Sequence, residues 1–126
     1  MNSKEEPRLT RVAAICAALP EVVRADMGSH AGFTVRKKTF AYFLNNHHGD
    51  GIVSISTRAF PGENKKLIEA HPKKFYLPAY IGPRGWVALR LDRSKIDWNE
   101  VRDLITASYL QAAPKKLAAA VEQHLD

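Results

Sequence analysis

Prolines cut this chain into short elements, and that limits its fold more than any other feature. Pro7 is tolerable only within the first turn of a helix, Pro20 stops that helix, and the "FPGEN" stretch around Pro61 breaks an extended run. Pro72 ends a second helix candidate, and Pro114 interrupts the C-terminal helical pattern and can open a last helix. Pro78 sits inside an extended run and cannot donate to a strand ladder, so that strand is short, bulged or at an edge.

Between these breaks the hydrophobic period changes twice. Leu9, Val12, Ile15, Cys16 and Leu19 recur at helical spacing and predict a helix over residues 8–19. Ser3 and Glu6 have the spacing of a capping box in front of it. From Phe33 the period drops to two. Phe33 and Val35, then Phe40, Tyr42 and Leu44, predict two strands joined at Arg36-Lys37-Lys38-Thr39. Asp50-Gly51 is a hairpin signal, and a third strand follows from Ile52 to about Thr57. "ENKKLIEAHP" reads as a short helix, "KKFYLPAYIG" as an extended run, and Trp86 to Leu91 as a strand.

The helical period then returns. Asp97 is a capping residue with Glu100 three later, and Ile96 and Val101 occupy staple positions. Val101, Leu104, Ile105, Ser108 and Ala112 trace one helix face, and Leu117, Val121 and Leu125 a second helix after Pro114. The expected fold is a two-layer α+β sandwich. An antiparallel five-stranded sheet carries the N- and C-terminal helices on one face. With 126 residues, 45% of them hydrophobic, one domain over residues 1–126 can bury a sufficient core. The single cysteine, Cys16, excludes an internal disulfide and falls on the apolar stripe, where it reads as a core residue. No apolar run approaches the roughly 18 residues of a membrane span, and the N-terminus lacks a signal segment, so a cytoplasmic location is the default expectation.

Motifs of hydrolases, nucleotide-binding loops and metalloproteases are absent, and the chain reads as non-enzymatic, with no cofactor. His47-His48 beside Asp50 reads as a polar turn tip, because adjacent residues on an extended chain point apart; His30 and His71 stand alone. The carboxylates are scattered, which gives no metal site.

Charge is the informative quantity. The net charge is +6, yet Phe33 to Arg90 holds ten Lys/Arg against three Asp/Glu, while the two flanks hold nine against ten. The whole basic excess lies in the middle, with charges at breaks between elements: Arg36, Lys37 and Lys38 at the first turn, Lys73 and Lys74 before the fourth strand, and Arg84 in the "GPRG" turn; Lys65 and Lys66 lie on the short helix, and Arg58 ends the third strand. Cations on hairpin tips can lie against phosphates. Tyr76, Tyr80 and Trp86, with Phe75 beside them, could stack on bases if exposed, or be core residues.

"FTVRKKTFA", "HPKKFYLPAYIGPRGWVALRLD" and "DWNEVRDLITASYLQAAPKKL" follow one another at spacings that resemble the MmcQ/YjbR-like family of small bacterial proteins, from about Leu9 to Val121. Pro78 to Trp86 and Ser108 to Leu117 are the most specific pieces. The resemblance implies a CyaY/frataxin-like fold and a double-wing mode of DNA binding. It suggests iron only by analogy, and the acidic face iron would need is missing. Lys37 stands where the family pattern has glycine, which makes the first wing more basic and alters its turn.

Two readings follow. The first is a DNA-binding protein contacting phosphates through basic hairpin tips, and the second a protein-interaction or small-ligand module using the Tyr76/Tyr80/Trp86 surface. Both are consistent with a chain that needs no membrane, and a monomer is favoured.

Overall fold

The computed structural model describes residues 5–123. Helix α1 (Pro7–Ala17) leads into β1 (Val22–Met27), β2 (His30–Val35), β3 (Lys38–Asn45) and β4 (Val53–Arg58). Helix α2 (Glu63–Ala70), β5 (Phe75–Tyr76), β6 (Trp86–Arg90), α3 (Trp98–Ala112) and α4 (Lys115–Gln123) complete the order. The six strands are antiparallel neighbours in the order β1-β2-β3-β4-β6-β5. The α+β architecture agrees with the sequence expectation, with one correction: the sheet has six strands, and the extra one is β1.

Register explains the layers. Ala31 and Phe33 of β2, Ala41 and Phe43 of β3, Val53, Ile55 and Thr57 of β4, and Val87 and Leu89 of β6 share one face by their pairings. That face is buried under α1 and α3 through Val12, Cys16, Val101, Ile105 and Tyr109. One irregularity shapes its middle. Phe33 pairs with Ala41 but Thr34 pairs with Thr39, so Phe40 is an extra residue on β3. Its carbonyl loses a ladder partner, and the buried Ser108 hydroxyl donates to it at 2.6 Å while accepting from Arg58 N at 2.9 Å. The Phe40 ring meets Tyr109 edge-on at 5.4 Å, and the Tyr109 hydroxyl donates to Pro20 O at 2.7 Å. One turn of α3 thus ties two strands and the exit of α1 together.

Boundaries differ from the sequence reading where local chemistry overrides pattern. Glu6 is the N-cap of α1, and its carboxylate accepts from Arg8 N at 2.7 Å; Ser3 lies outside the described residues. Asp97 caps α3 by accepting from Asn99 and Glu100 N. Glu100 closes no reciprocal box and instead holds Lys74 Nζ at 3.0 Å. The first turn is narrower than expected: Arg36 and Lys37 both take positive φ, the pattern of a type I′ turn, and Lys38 already belongs to β3. Asp50-Gly51 does not form a two-residue hairpin; His47–Gly49 make a 3-10 turn entered through left-handed Asn46. β4 begins at Val53 rather than Ile52. The run around Pro78 shrinks to the two-residue edge strand β5. Leu125 lies outside the described residues.

The second sheet face carries no helix among the described residues; α1 and α3 lie on the other. Tyr42, Ser54, Ser56, Trp86 and Ala88 lie on it. Residues 77–81 pass across it, with Pro78 buried beside Tyr42, Leu44 and His30. No helix in the described residues is long and apolar enough to cross a membrane.

Candidate functional site

Strand register sorts seven of the nine candidate cations between the two ends of the sheet; Lys65 and Lys66 stand on α2. Val35 pairs with Lys38, Ala41 with Thr57, and Arg58 with Trp86. The Arg36-Lys37 turn, Lys38, Arg58 and the 3-10 turn Gly82–Arg84 therefore lie at one end. Phe75 pairs with Leu89, and Arg90 N donates to Lys74 O at 2.8 Å, so Lys73 and Lys74 lie at the other end. Lys74 is further tied to Glu100.

At the first end, Arg58, Lys65 and Arg84 line one recess of about 940 Å³. Asn64, Gln111, Leu77 and the glycines Gly62, Gly82 and Gly85 complete its main walls, and no carboxylate lines it. Three cations that stand 7 and 19 residues apart in sequence come together because β4, α2 and the start of β6 converge there.

The walls are fixed by specific bonds. Asn64 is buried; its Nδ2 donates to Gly82 O and Trp86 O, both at 3.2 Å, and its Oδ1 accepts from Lys65 N. The first turn of α2 is thereby fastened to the 3-10 turn that carries Arg84. Gly85 takes φ of 96°, a conformation side chains resist, and its carbonyl accepts from Ala59 N at 2.9 Å. Gly82 is required for a different reason: a Cβ there would stand 2.4 Å from Leu77 Cγ. On the fourth side, Gln111 Nε2 donates to Arg58 O at 3.0 Å. These bonds fix the backbone from which Arg58, Lys65 and Arg84 reach the recess.

The remaining candidates differ in how much charge they leave free. Arg36 forms a two-pronged pair with Glu21, at 2.5 and 3.0 Å, which holds the Glu21 carboxyl below its ordinary range. Lys66 lies 3.8 Å from Glu63 on an exposed face of α2 and lines no part of the recess. Among the described residues Lys37, Lys38, Arg58, Lys65, Lys73 and Arg84 carry no ion pair. Sequence reasoning missed Asn64 and Gln111, because a single amide in a helix carries no periodic or motif signal. It also passed over Lys115 and Lys116, which the end of α3 beside Arg58 brings to the same end of the molecule.

The three aromatic candidates separate. Trp86 is 7% exposed and packs against Tyr42 at 5.5 Å. Tyr76 is half-buried, with its hydroxyl 2.8 Å from Ser54 Oγ; burial pushes its phenol upward. Tyr80 is 83% exposed and adopts φ of 67°, unusual for a bulky residue. A second recess, about 250 Å³ and mostly apolar, lies between residues 78–81 and the sheet, lined also by Met27, His30, Tyr42, Leu44 and His47. His30 Nδ1 accepts from Asn45 N at 3.0 Å, and its ring meets His47 edge-on at 5.2 Å. No group of three or more His, Cys, Asp or Glu residues that could hold a metal ion occurs among the described residues.

A comparison with curated proteins gave no significant match. Among solved structures, Deinococcus radiodurans protein DR2400, of the DUF419 domain family, is similar at a TM-score of 0.67 and 19% identity, over 86% of this chain and 81% of that one. At that identity the likeness concerns the fold alone. The family model YjbR matches residues 17–111, which run from the end of α1 to Gln111 and so include the whole sheet and every wall of the cationic recess. The chain belongs to the YjbR family.

Proposed function

We propose that this chain is a non-enzymatic nucleic-acid-binding domain that holds backbone phosphates at one end of its sheet. The observation that carries the reading is the recess in which Arg58, Lys65 and Arg84 converge without a carboxylate among its lining residues. Holding like charges together without a counter-ion is unfavourable in the free protein and is relieved by a polyanion. Lys37 and Lys38 extend the cationic rim from the neighbouring hairpin. The proposed contacts are to phosphates, so the expected binding is salt-dependent and weak in sequence preference.

The test is fluorescence anisotropy of a labelled duplex and a labelled single strand. Three phosphate contacts on a duplex predict a roughly 40-fold loss of affinity between about 50 and 200 mM salt. Arg84→Ala and Lys65→Ala are expected to weaken binding on every sequence, each lowering the salt slope by about one. Lys73→Ala, at the opposite end, is expected to leave it unchanged. Absence of binding at the lower salt, or equal loss from Lys73→Ala, would overturn the assignment.

A second reading has its own observation, the apolar recess under residues 78–81. It suits a small, flat, mostly apolar ligand. A thermal-shift response to such a compound, abolished by a bulky substitution at Ala79 and indifferent to nucleic acid, would favour it.

A further inference from the structure

We propose that the free edge of β1 is a docking edge for a second copy of this chain, paired antiparallel about a two-fold axis at Ala25. β1 is the outermost strand of the sheet, and five of its six residues are exposed. Unpaired edges of that length are usually shortened, bulged or guarded by lysine or proline. β1 is neither shortened nor bulged, its pairing with β2 is regular over all six residues, it contains no proline, and its only guarding charges are Arg24 and Asp26, one of each sign. It exposes Val23 at 61% and Met27 at 46% on one sheet face.

The side-chain order is complementary to itself. β1 and β2 are joined by the two-residue turn Gly28-Ser29, with Gly28 at φ of 64° and Met27 paired to His30. Residues flanking such a loop turn their backbone groups toward each other, and alternate residues turn theirs outward. Asp26 and Arg24 thus offer N–H and C=O to the free edge. Parity then allows few central registers. Placing Ala25 opposite Ala25 sets Arg24 of each copy against Asp26 of the other, and Val23 against Met27. A shift to either neighbouring register of the same parity opposes Arg24 to Arg24 or Asp26 to Asp26. Cross-strand opposite charges stabilise a pairing and like charges directly opposed weaken it, so this sequence selects one register and one partner.

Within the single copy Arg24 already holds Asp26 at 2.7 Å and Glu5 at 2.5 Å. The guanidinium therefore lies between Asp26 and Glu5, on the sheet face where the partner's Asp26 would stand. Association would replace an exposed local pair by a closed ring of alternating charges and cover Val23 and Met27.

Sedimentation analysis of the native chain is expected to show a concentration-dependent dimer. Arg24→Asp and Asp26→Arg should each sediment as monomers, because each opposes like charges across the axis. An equimolar mixture of the two variants should restore the dimer, since their strands are complementary to each other; that recovery also shows that both variants are folded. Ala25→Cys should join two copies under oxidation, whereas Ser29→Cys, far from the axis, should not. A native chain that stays monomeric to near-millimolar concentration would overturn the proposal. So would single variants that still dimerise, or a mixture that stays monomeric.

Discussion

Glu21 and Arg36 clasp each other through two hydrogen bonds while both residues sit in left-handed backbone, at φ of 59° and 48°. Lys37 follows at 69°. All three left-handed positions are filled without a glycine, by charged residues at Glu21 and in the Arg36-Lys37 turn. Non-glycine residues at positive φ each cost on the order of 1 kcal/mol. Lys37→Gly is therefore expected to raise stability by about 1 kcal/mol in urea titration. If the turn serves an anion, the same change lowers nucleic-acid affinity. A stability gain without any loss of affinity would remove Lys37 from the interface.

Gly82→Ala places a methyl against Leu77, whose Cγ would lie 2.4 Å away. A loss of roughly 1–3 kcal/mol is expected from the forced shift. Leu77→Ala should relieve it, so the double variant is more stable than the sum of the two single effects. Simple additivity in a thermal-unfolding cycle would show that the 3-10 turn moves freely.

Asn64→Ala removes two donors from the carbonyls of Gly82 and Trp86 in a buried place. About 2–4 kcal/mol of stability should be lost. Anion affinity should fall as well, although Asn64 carries no charge, because Arg84 loses its anchored support.

Two pH limbs are expected. Arg8 beside Glu6 and Arg90 beside Asp92 hold those carboxyls below their ordinary values of 4.5 and 3.8. Depressed acids contribute stability that is present above the ordinary values and is lost as pH falls below them. Asp92→Asn should flatten that acid limb in a pH series of melting temperatures. At the other extreme, burial pushes the Cys16 thiol up to about 12 from 9.0. Its contribution is present below pH 9.0 and is lost as pH climbs toward 12. At neutral pH a thiol reagent should label Cys16 only at the rate of unfolding.

Most of the fold was legible because burial writes periodicity. Leu9, Val12 and Cys16 announce α1, and Val101, Ile105 and Ser108 announce α3, since each stripe faces the sheet. β1 was illegible for the converse reason. With nearly every side chain in solvent, Val22 to Met27 needs no alternation, and its strand character comes from pairing to β2 alone. The candidate site was half legible. Charge counts find Arg58, Lys65 and Arg84, but only topology separates them from Lys73 and Lys74. The amides that fasten the recess carry no sequence signal.

The two borders of the sheet are unequal, six residues at β1 and two at β5. A strand-shaped visitor finds a full ladder on one side and scarcely two rungs on the other, beyond which Pro78 offers no donor. Growth by strand addition can therefore happen once and then halts. Two copies joined at their long borders would present only stubs to a third, so the architecture admits a finite pair and resists the open-ended stacking that leads to fibres.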